Sequence, residues 1–423
     1  MNTMDYQRRI LDEELNELLA QLSAILIDGP KAVGKTTTAI QRCATVRRLQ
    51  RAAERAVVEA DPRVIAKDPA PVLLDEWQRV PEVWDTVRDL VDEDTTAGRF
   101  VLTGSAPLFG THSGAARIAT VRLRPLTLSE RGVGSALISF RSLLDGGKQH
   151  ITGRSNLELS NYVDEIIAGG FPGMRHLTGR ALTTQIDSYL DRIVTHDIPG
   201  TGFRVRRPAA VRAWMAAYAA ATATTTSWES LRDAASAGYG SKPSKVSTSN
   251  YTNLLTQLRI LDPIEAWLPS TNHFSRLGSA PKHHLADPAL AARLLKRTRH
   301  HLLHGEDGPL VVARDGTLLG ALFESLVALS VRVFAQAAGA ETYHFRDRNG
   351  RHEVDFIVEH EGKVLGLEAK LRGDVRDADV RHLLWLREQL GNRMLDAVVI
   401  TTGQEAYRRA DGIAVIPLGV LGP

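Results

Sequence analysis

The chain has 423 residues, 43% of them apolar and 24% charged, which is ordinary for a globular protein of two to four domains. With 52 basic and 49 acidic side chains the net charge is only +3, so a nucleic-acid partner must be argued from local patches. A single cysteine, Cys43, excludes an internal disulfide and a cysteine-based zinc cluster. The first twenty residues are charged throughout and lack the apolar stretch of a signal peptide. No apolar run approaches the roughly 18 residues of a membrane span, so the reading is cytoplasmic, with no membrane partner.

In chain order, residues 5–22 pattern as an amphipathic helix with Ile10, Leu11, Leu15, Leu18, Leu19 and Leu22 on one side. "AILIDG" (24–29) reads as a buried strand, followed by a glycine-bounded loop and a helix over 35–55. "AVVEAD" (56–61), "PVLLDE" (71–76) and "RFVLTGS" (99–105) read as further strands. Strands alternating with helices predict a parallel sheet covered on both faces, an α/β core. From 131 the pattern turns helical: 157–168, 181–198, 206–220 and 228–237, with "GGFPG" (169–173) as a turn. A polar break (238–250) precedes a helix at 249–259, and 300–320 reads as a linker. A helix (320–337), strands at 341–346, 353–359 and 363–371, a helix (377–390) and strands at 396–402 and 413–418 complete the chain.

"GPKAVGKT", Gly29 to Thr36, fits G-x-x-x-x-G-K-[ST] between a strand and a helix. The glycines let successive N–H groups of Gly29, Pro30, Lys31, Ala32, Val33 and Gly34 curl toward phosphate, proline contributing only its fixed bend. Lys35 would reach the β- and γ-phosphates of ATP, Thr36 would ligate Mg2+, and Thr37 continues the helix start. "VLLDE" supplies the second acid: Asp75 for the magnesium shell and Glu76 to orient or deprotonate the attacking water. "FVLTGS" ends in Thr103 and Ser105, polar groups placed to feel the γ-phosphate. Arg117 and the basic run 122–132 follow, as an arginine for a neighbouring subunit's site or as a solvated face.

These stretches, with "LLDEWQRVP", "VRLRPLTLSE" and "GGFPG" in order, resemble the prokaryotic AAA-type ATPases that carry a C-terminal domain of unknown function. The matching residues are Asp75, Glu76 and Gln78; Thr103, Gly104 and Ser105; Leu126 to Glu130; and Gly169, Gly170, Phe171 and Pro172. The resemblance implies an ATPase core (1–130), a helical lid (131–200), a winged-helix-like module (201–300) and a C-terminal α/β domain (301–423). It also implies ATP and Mg2+ as cofactors and a homo-oligomer of unfixed number. In the third module, recognition of DNA would use Lys242, Lys245, Ser247 and Ser249 on phosphate, with Tyr251, Asn253 and Gln257 on the same helix. His283, His284, His300, His301 and His304 lack accompanying acids at ligand spacing and read as exposed polar side chains.

"HEVDFIVEHEGKVLGLEAKL" (352–371) reads as a hairpin. Alternation places Glu353, Asp355, Ile357 and Glu359 on one face and Val354, Phe356 and Val358 on the other. The two-residue loop Glu361–Gly362 would pair His360 with Lys363. Counting outward, Asp355 faces Glu368 and Glu353 faces Lys370, with Cβ atoms about 5 Å apart. Two opposed carboxylates need a cation or a proton between them, and Mg2+ is the first choice. Glu324 offers a third ligand, and Lys370 could position water. An acid followed by E-x-K on the next strand resembles the PD-(D/E)XK nuclease core, although Val354 stands where that family has proline. The resemblance implies a restriction-endonuclease-like fold, either cutting DNA or serving as an inactive, nucleotide-gated binding domain.

Overall fold

The computed structural model describes residues 6–104, 116–146, 150–236, 242–268, 280–304, 316–347 and 349–423. Helix α1 (Leu11–Leu19) leads into β1 (Ala24–Asp28), α2 (Lys35–Ile40), β2 (Thr45–Arg48), α3 (Ala52–Ala60), β3 (Val72–Asp75), α4 (Glu82–Glu93), β4 (Phe100–Thr103) and β5 (Ile118–Arg122). The five strands form a parallel sheet in the order β2-β3-β4-β1-β5. Alternation along β1 sends Ala24 and Leu26 into one apolar cluster and Ile25 and Ile27 into another, so both faces of the sheet are covered.

Two elements differ from expectation. The helix predicted over 35–55 stops at Ile40, because Thr45–Arg48 pair with Val72–Asp75 as an edge strand and Arg47 bonds both oxygens of Asp68. The strand predicted at 56–61 is the end of α3, whose Ala, Glu and Arg content favours helix and whose Val58 alone is fully buried.

The middle of the chain holds β6 (Ile138–Ser139), α5 (Phe140–Leu144), β7 (Gly153–Arg154), α6 (Leu159–Ala168) and α7 (Gly179–Arg192). A π-helical turn (Ile193–Asp197) joins α7 to the single turn α8 (Ile198–Gly200). Then come α9 (Pro208–Ala220), α10 (Trp228–Ser236), α11 (Lys245–Gln257), α12 (Pro288–Leu294) and α13 (Arg299–His304). The last third carries α14 (Gly316–Ala337), β8 (Glu341–Arg346), β9 (Glu353–His360), β10 (Lys363–Lys370), α15 (Asp377–Leu390), β11 (Met394–Thr401), β12 (Glu405–Arg408), β13 (Ala414–Pro417) and β14 (Leu421–Gly422). A seven-stranded mixed sheet runs β7-β12-β13-β11-β10-β9-β8, and β14 pairs with β6. One apolar cluster joins the middle helices, α14 and the inner face of this sheet.

Thr317–Ala337 is long and apolar enough to cross a membrane by length and composition, contrary to the sequence expectation. Its apolar window is 67% buried inside the fold, where Leu322, Phe323 and Leu326 pack in the shared core. His283 and His284 are also buried rather than exposed, His283 wedged against Tyr218 and Trp228 with ring centroids 4.9 Å away. His300 and His304 are exposed on α13 as expected.

Candidate functional sites

The phosphate loop is built by local sequence. A Cβ on Gly29 would lie 2.2 Å from the Leu123 carbonyl, so only glycine lets β1 leave the sheet beside β5. Ala32 (φ 62°) and Gly34 (φ 102°) take the left-handed conformation that turns the loop back onto α2. Lys35 Nζ donates to the carbonyls of Gly29 and Pro30 at 2.7 and 2.8 Å. Burial pulls its pKa down to about 8, against the opposing pull of Glu76 and Asp28.

Asp75 lies beside Thr103 across the β3–β4 pair. Its Oδ1 accepts from Thr36 Oγ1 at 2.6 Å and from Thr103 Oγ1 at 2.8 Å. Three sequence-selected oxygens thus converge at the start of α2, and the set suits the all-oxygen preference of magnesium. Glu76 sits in the left-handed region (φ 58°), rare for a side chain of its kind and costly without surrounding support. Gln78 Nε2 donates to Glu76 Oε2 at 2.5 Å and holds the carboxylate. A Cβ on Gly104 would fall 2.4 Å from Gln78 Oε1, so that glycine makes room for the holder. Ser105 lies outside the described residues. Arg117 is bound to Asp92 at 2.8 Å on an exposed face of α4.

Several residues that the motif reading passed over frame this loop. Arg9 donates to Val33 O at 3.1 Å and pairs with buried Glu130 at 2.9 Å, tying the loop to the Leu126–Glu130 box. Lys31 pairs with Asp197 at 2.5 Å, and Tyr189 donates to Lys31 O at 3.3 Å, so the π-helical turn after α7 leans on the loop's tip. Asp28, the last residue of β1, accepts from Arg259 Nε at 2.6 Å. Arg122, Arg124 and Arg332 surround Asp262 at 3.3, 2.9 and 3.0 Å. Burial would raise Asp262, but the three guanidiniums overwhelm it and hold the carboxyl well below the usual range.

In the module around α11, Ser244 caps the helix by accepting from Ser247 N at 3.1 Å. Lys245 and Ser249 are exposed, whereas Lys242 is held by Glu229 and Asp233 on α10. Phe203, Arg204, Arg206, Arg207, Lys242 and Tyr251 are among the residues lining a cleft of about 960 Å3 at this helix start. Downstream, Leu261 bridges Leu285 and Ile264 bridges Lys282 in antiparallel fashion.

In the C-terminal sheet, Lys363 pairs with His360, and the register runs unbroken to Leu367–Phe356. Glu361 (φ 49°) and Gly362 (φ 75°) both take positive φ, the twist-matched turn for a two-residue hairpin loop. The ladder then opens: Asp355 Oδ2 accepts from Ala369 N at 3.0 Å. The β8–β9 register also shifts between Tyr343 and Phe345. This bulge puts Val354 in the outer cluster with Ile357, while Phe356 and Val358 stay in the inner one, correcting the alternation expected from sequence.

Glu324, Asp355, Glu368 and Lys370 do meet, but around a residue the sequence reading did not select. Lys282 Nζ donates to Glu324 Oε1 at 2.8 Å and to Asp355 Oδ1 at 2.9 Å, and lies 3.6 Å from Glu353 Oε1. Lys370 Nζ donates to Glu368 Oε2 at 2.7 Å. Burial would strip Lys282 of its proton, yet Asp355 and Glu324 hold its pKa above the ordinary lysine value. Burial would raise Asp355, but Lys282 and Lys370 keep it ionised well below the usual range. Burial and then the Asp355 charge push Glu368 far up and Glu324 to about 7, the lysines opposing both. A magnesium ion at the position expected from sequence would have to share space with the Lys282 ammonium. As folded, the residues do not fit a metal there. Among the described residues, no group of three or more His, Cys, Asp or Glu side chains is arranged to hold a metal ion.

Three families match parts of the chain: an AAA domain over residues 21–131, a domain of unknown function (DUF8612) over 159–301, and a domain of unknown function (DUF4143) over 319–421. Uncharacterized proteins of Mycobacterium bovis and Mycobacterium tuberculosis are each 26% identical over 385 residues, spanning 88% of this chain and 75% of theirs. A Walker-type ATPase of Pyrococcus abyssi is 14% identical, with a TM-score of 0.39 over 69% of this chain and 97% of its own. The AAA match supports a P-loop ATPase for the N-terminal part.

Proposed function

We propose that this chain binds Mg·ATP at Gly29–Thr36 and hydrolyses it, and that its nucleotide state is relayed to the two following modules. The observation that carries the reading is the convergence of Thr36, Asp75 and Thr103 beside a loop whose glycines and Lys35 suit phosphate. Lys35 would exchange its two carbonyl partners for phosphate oxygens. Thr36 and Asp75 would hold magnesium, which when bound neutralises phosphate charge. Glu76, kept in place by Gln78, would orient the attacking water and accept its proton. Thr103 fixes the Asp75 carboxylate and so acts as a positioning residue.

The relay would run through Asp28, which joins the loop to Arg259 after α11, and through Asp262, which joins β5 to α14. The module around α11 is read as winged-helix-like, the bridged segments 261–264 and 282–285 forming its wing. Arg204, Arg206, Arg207 and Lys245 would meet DNA phosphates. Cytoplasmic assembly as a homo-oligomer belongs to the same proposal. For the C-terminal domain, a nucleotide-gated binding role is favoured over cleavage by Lys282, whose ammonium sits where a nuclease's metal would lie.

The experiment is paired. Lys35→Ala abolishes ATP binding in a fluorescent-nucleotide titration. Glu76→Gln binds ATP like wild type and loses about 10²–10⁴-fold in turnover. Wild-type turnover by Glu76→Gln would remove that residue from the mechanism.

A further inference from the structure

Lys282 is remote from the carboxylates it serves, 73 positions before Asp355, and is fully buried with a side-chain exposure of 1%. A buried lysine is expensive unless paired and fully hydrogen-bonded. Here its partners come from two different elements, Glu324 on α14 and Asp355 on β9. The segment that delivers it is fastened to the sheet: Trp267 N donates to His344 O at 2.6 Å and His344 N to Glu265 O at 3.0 Å. Trp267 Nε1 also donates to Glu359 Oε2 at 3.0 Å. The segment therefore docks on β8 and β9 and places one ammonium between two carboxylates.

Bridging two carboxylates from adjacent elements is what a divalent cation does, at about 2.0–2.1 Å for magnesium. An ion there would be in direct repulsive contact with Nζ. Glu368 Oε1 is meanwhile buried without a donor, so the pocket keeps acceptor capacity that its two lysines do not use. We propose that Lys282 is the resident cation of this pocket: the docked chain takes no divalent metal there, and removal of the ammonium uncovers a divalent-cation site formed by Glu324, Asp355 and Glu368. This deepens the reading of a non-cleaving C-terminal domain and rests on it. The two remain separable, because a cleavage assay reports on that domain's activity whereas metal binding reports on the pocket.

The test is a Mn2+ titration of the nucleotide-free full chain, followed by electron paramagnetic resonance. Wild type is expected to leave Mn2+ free. Lys282→Met is expected to bind one equivalent, lost again in Lys282→Met with Asp355→Asn, and Mn2+ should raise the melting midpoint of Lys282→Met but not of wild type. One equivalent bound by wild type and lost in Asp355→Asn overturns the proposal, as does a folded Lys282→Met that takes no Mn2+. Should Lys282→Met fail to fold with and without Mn2+, the wild-type titration decides alone, absence of binding supporting the resident cation and Asp355-dependent binding overturning it.

Discussion

The two acid-bearing sites of this chain solve the same electrostatic problem in opposite ways. At the N-terminal site Asp75 is held by two neutral hydroxyls, Thr36 and Thr103, and the nearby Lys35 bonds backbone carbonyls instead of the acid. The carboxylate is oriented but not neutralised, the state in which an external cation is still wanted. At the C-terminal site Glu324 and Asp355 share Lys282, and Glu368 has Lys370, so the positive charge is already covalently part of the chain. Identical residue types therefore predict metal chemistry only when the partners of the acids are known. Hydroxyl partners leave the cation position open, and lysine partners close it.

Removing the internal cation should break this contrast most severely. Lys282→Met leaves two buried carboxylates facing each other, a loss of about 3–5 kcal/mol that urea unfolding would read directly. Asp262→Asn should cost less, about 1.5–3 kcal/mol, because the amide still accepts hydrogen bonds from three guanidiniums without balancing their charge. It should also weaken any effect of ATP on the melting of the C-terminal part.

The pH dependence is smaller again, and its sign follows from Glu324. Its folded pKa of about 7 exceeds the ordinary 4.5, so between those values the folded state keeps a proton that the unfolded state releases. Stability should fall as pH rises through that window, by a few degrees in midpoint, with Glu368 acting in the same direction. Glu324→Gln should flatten the slope; an unchanged slope would remove Glu324 as its source. The least effect is expected from Arg117→Ala, which breaks an exposed pair with Asp92 and should change stability by less than about 1 kcal/mol.

What could be read from sequence was local. The phosphate loop is specified by eight contiguous residues, because its glycines and lysine set the backbone path themselves. The C-terminal hairpin register followed from one loop, Glu361–Gly362, whose positive φ at both positions admits a single pairing. The bulge beside Asp355 left no such mark, and Val354 changed faces without a change in composition. The edge strand Thr45–Arg48 was hidden by helix-favouring neighbours, since its stability comes from pairing with β3. Long-range partners were invisible for the same reason. Arg9 meets Glu130 from 121 positions away, and Lys282 meets Asp355 from 73. A lone lysine between two buried strand residues carries no signal of the acids it will face.

The most direct measurement is the number of Mn2+ ions bound per wild-type chain with and without ADP. The account predicts one ion with nucleotide, lost in Asp75→Asn, and none without it. An ion bound in the absence of nucleotide and removed by Asp355→Asn, or no ion even with ADP present, would contradict it.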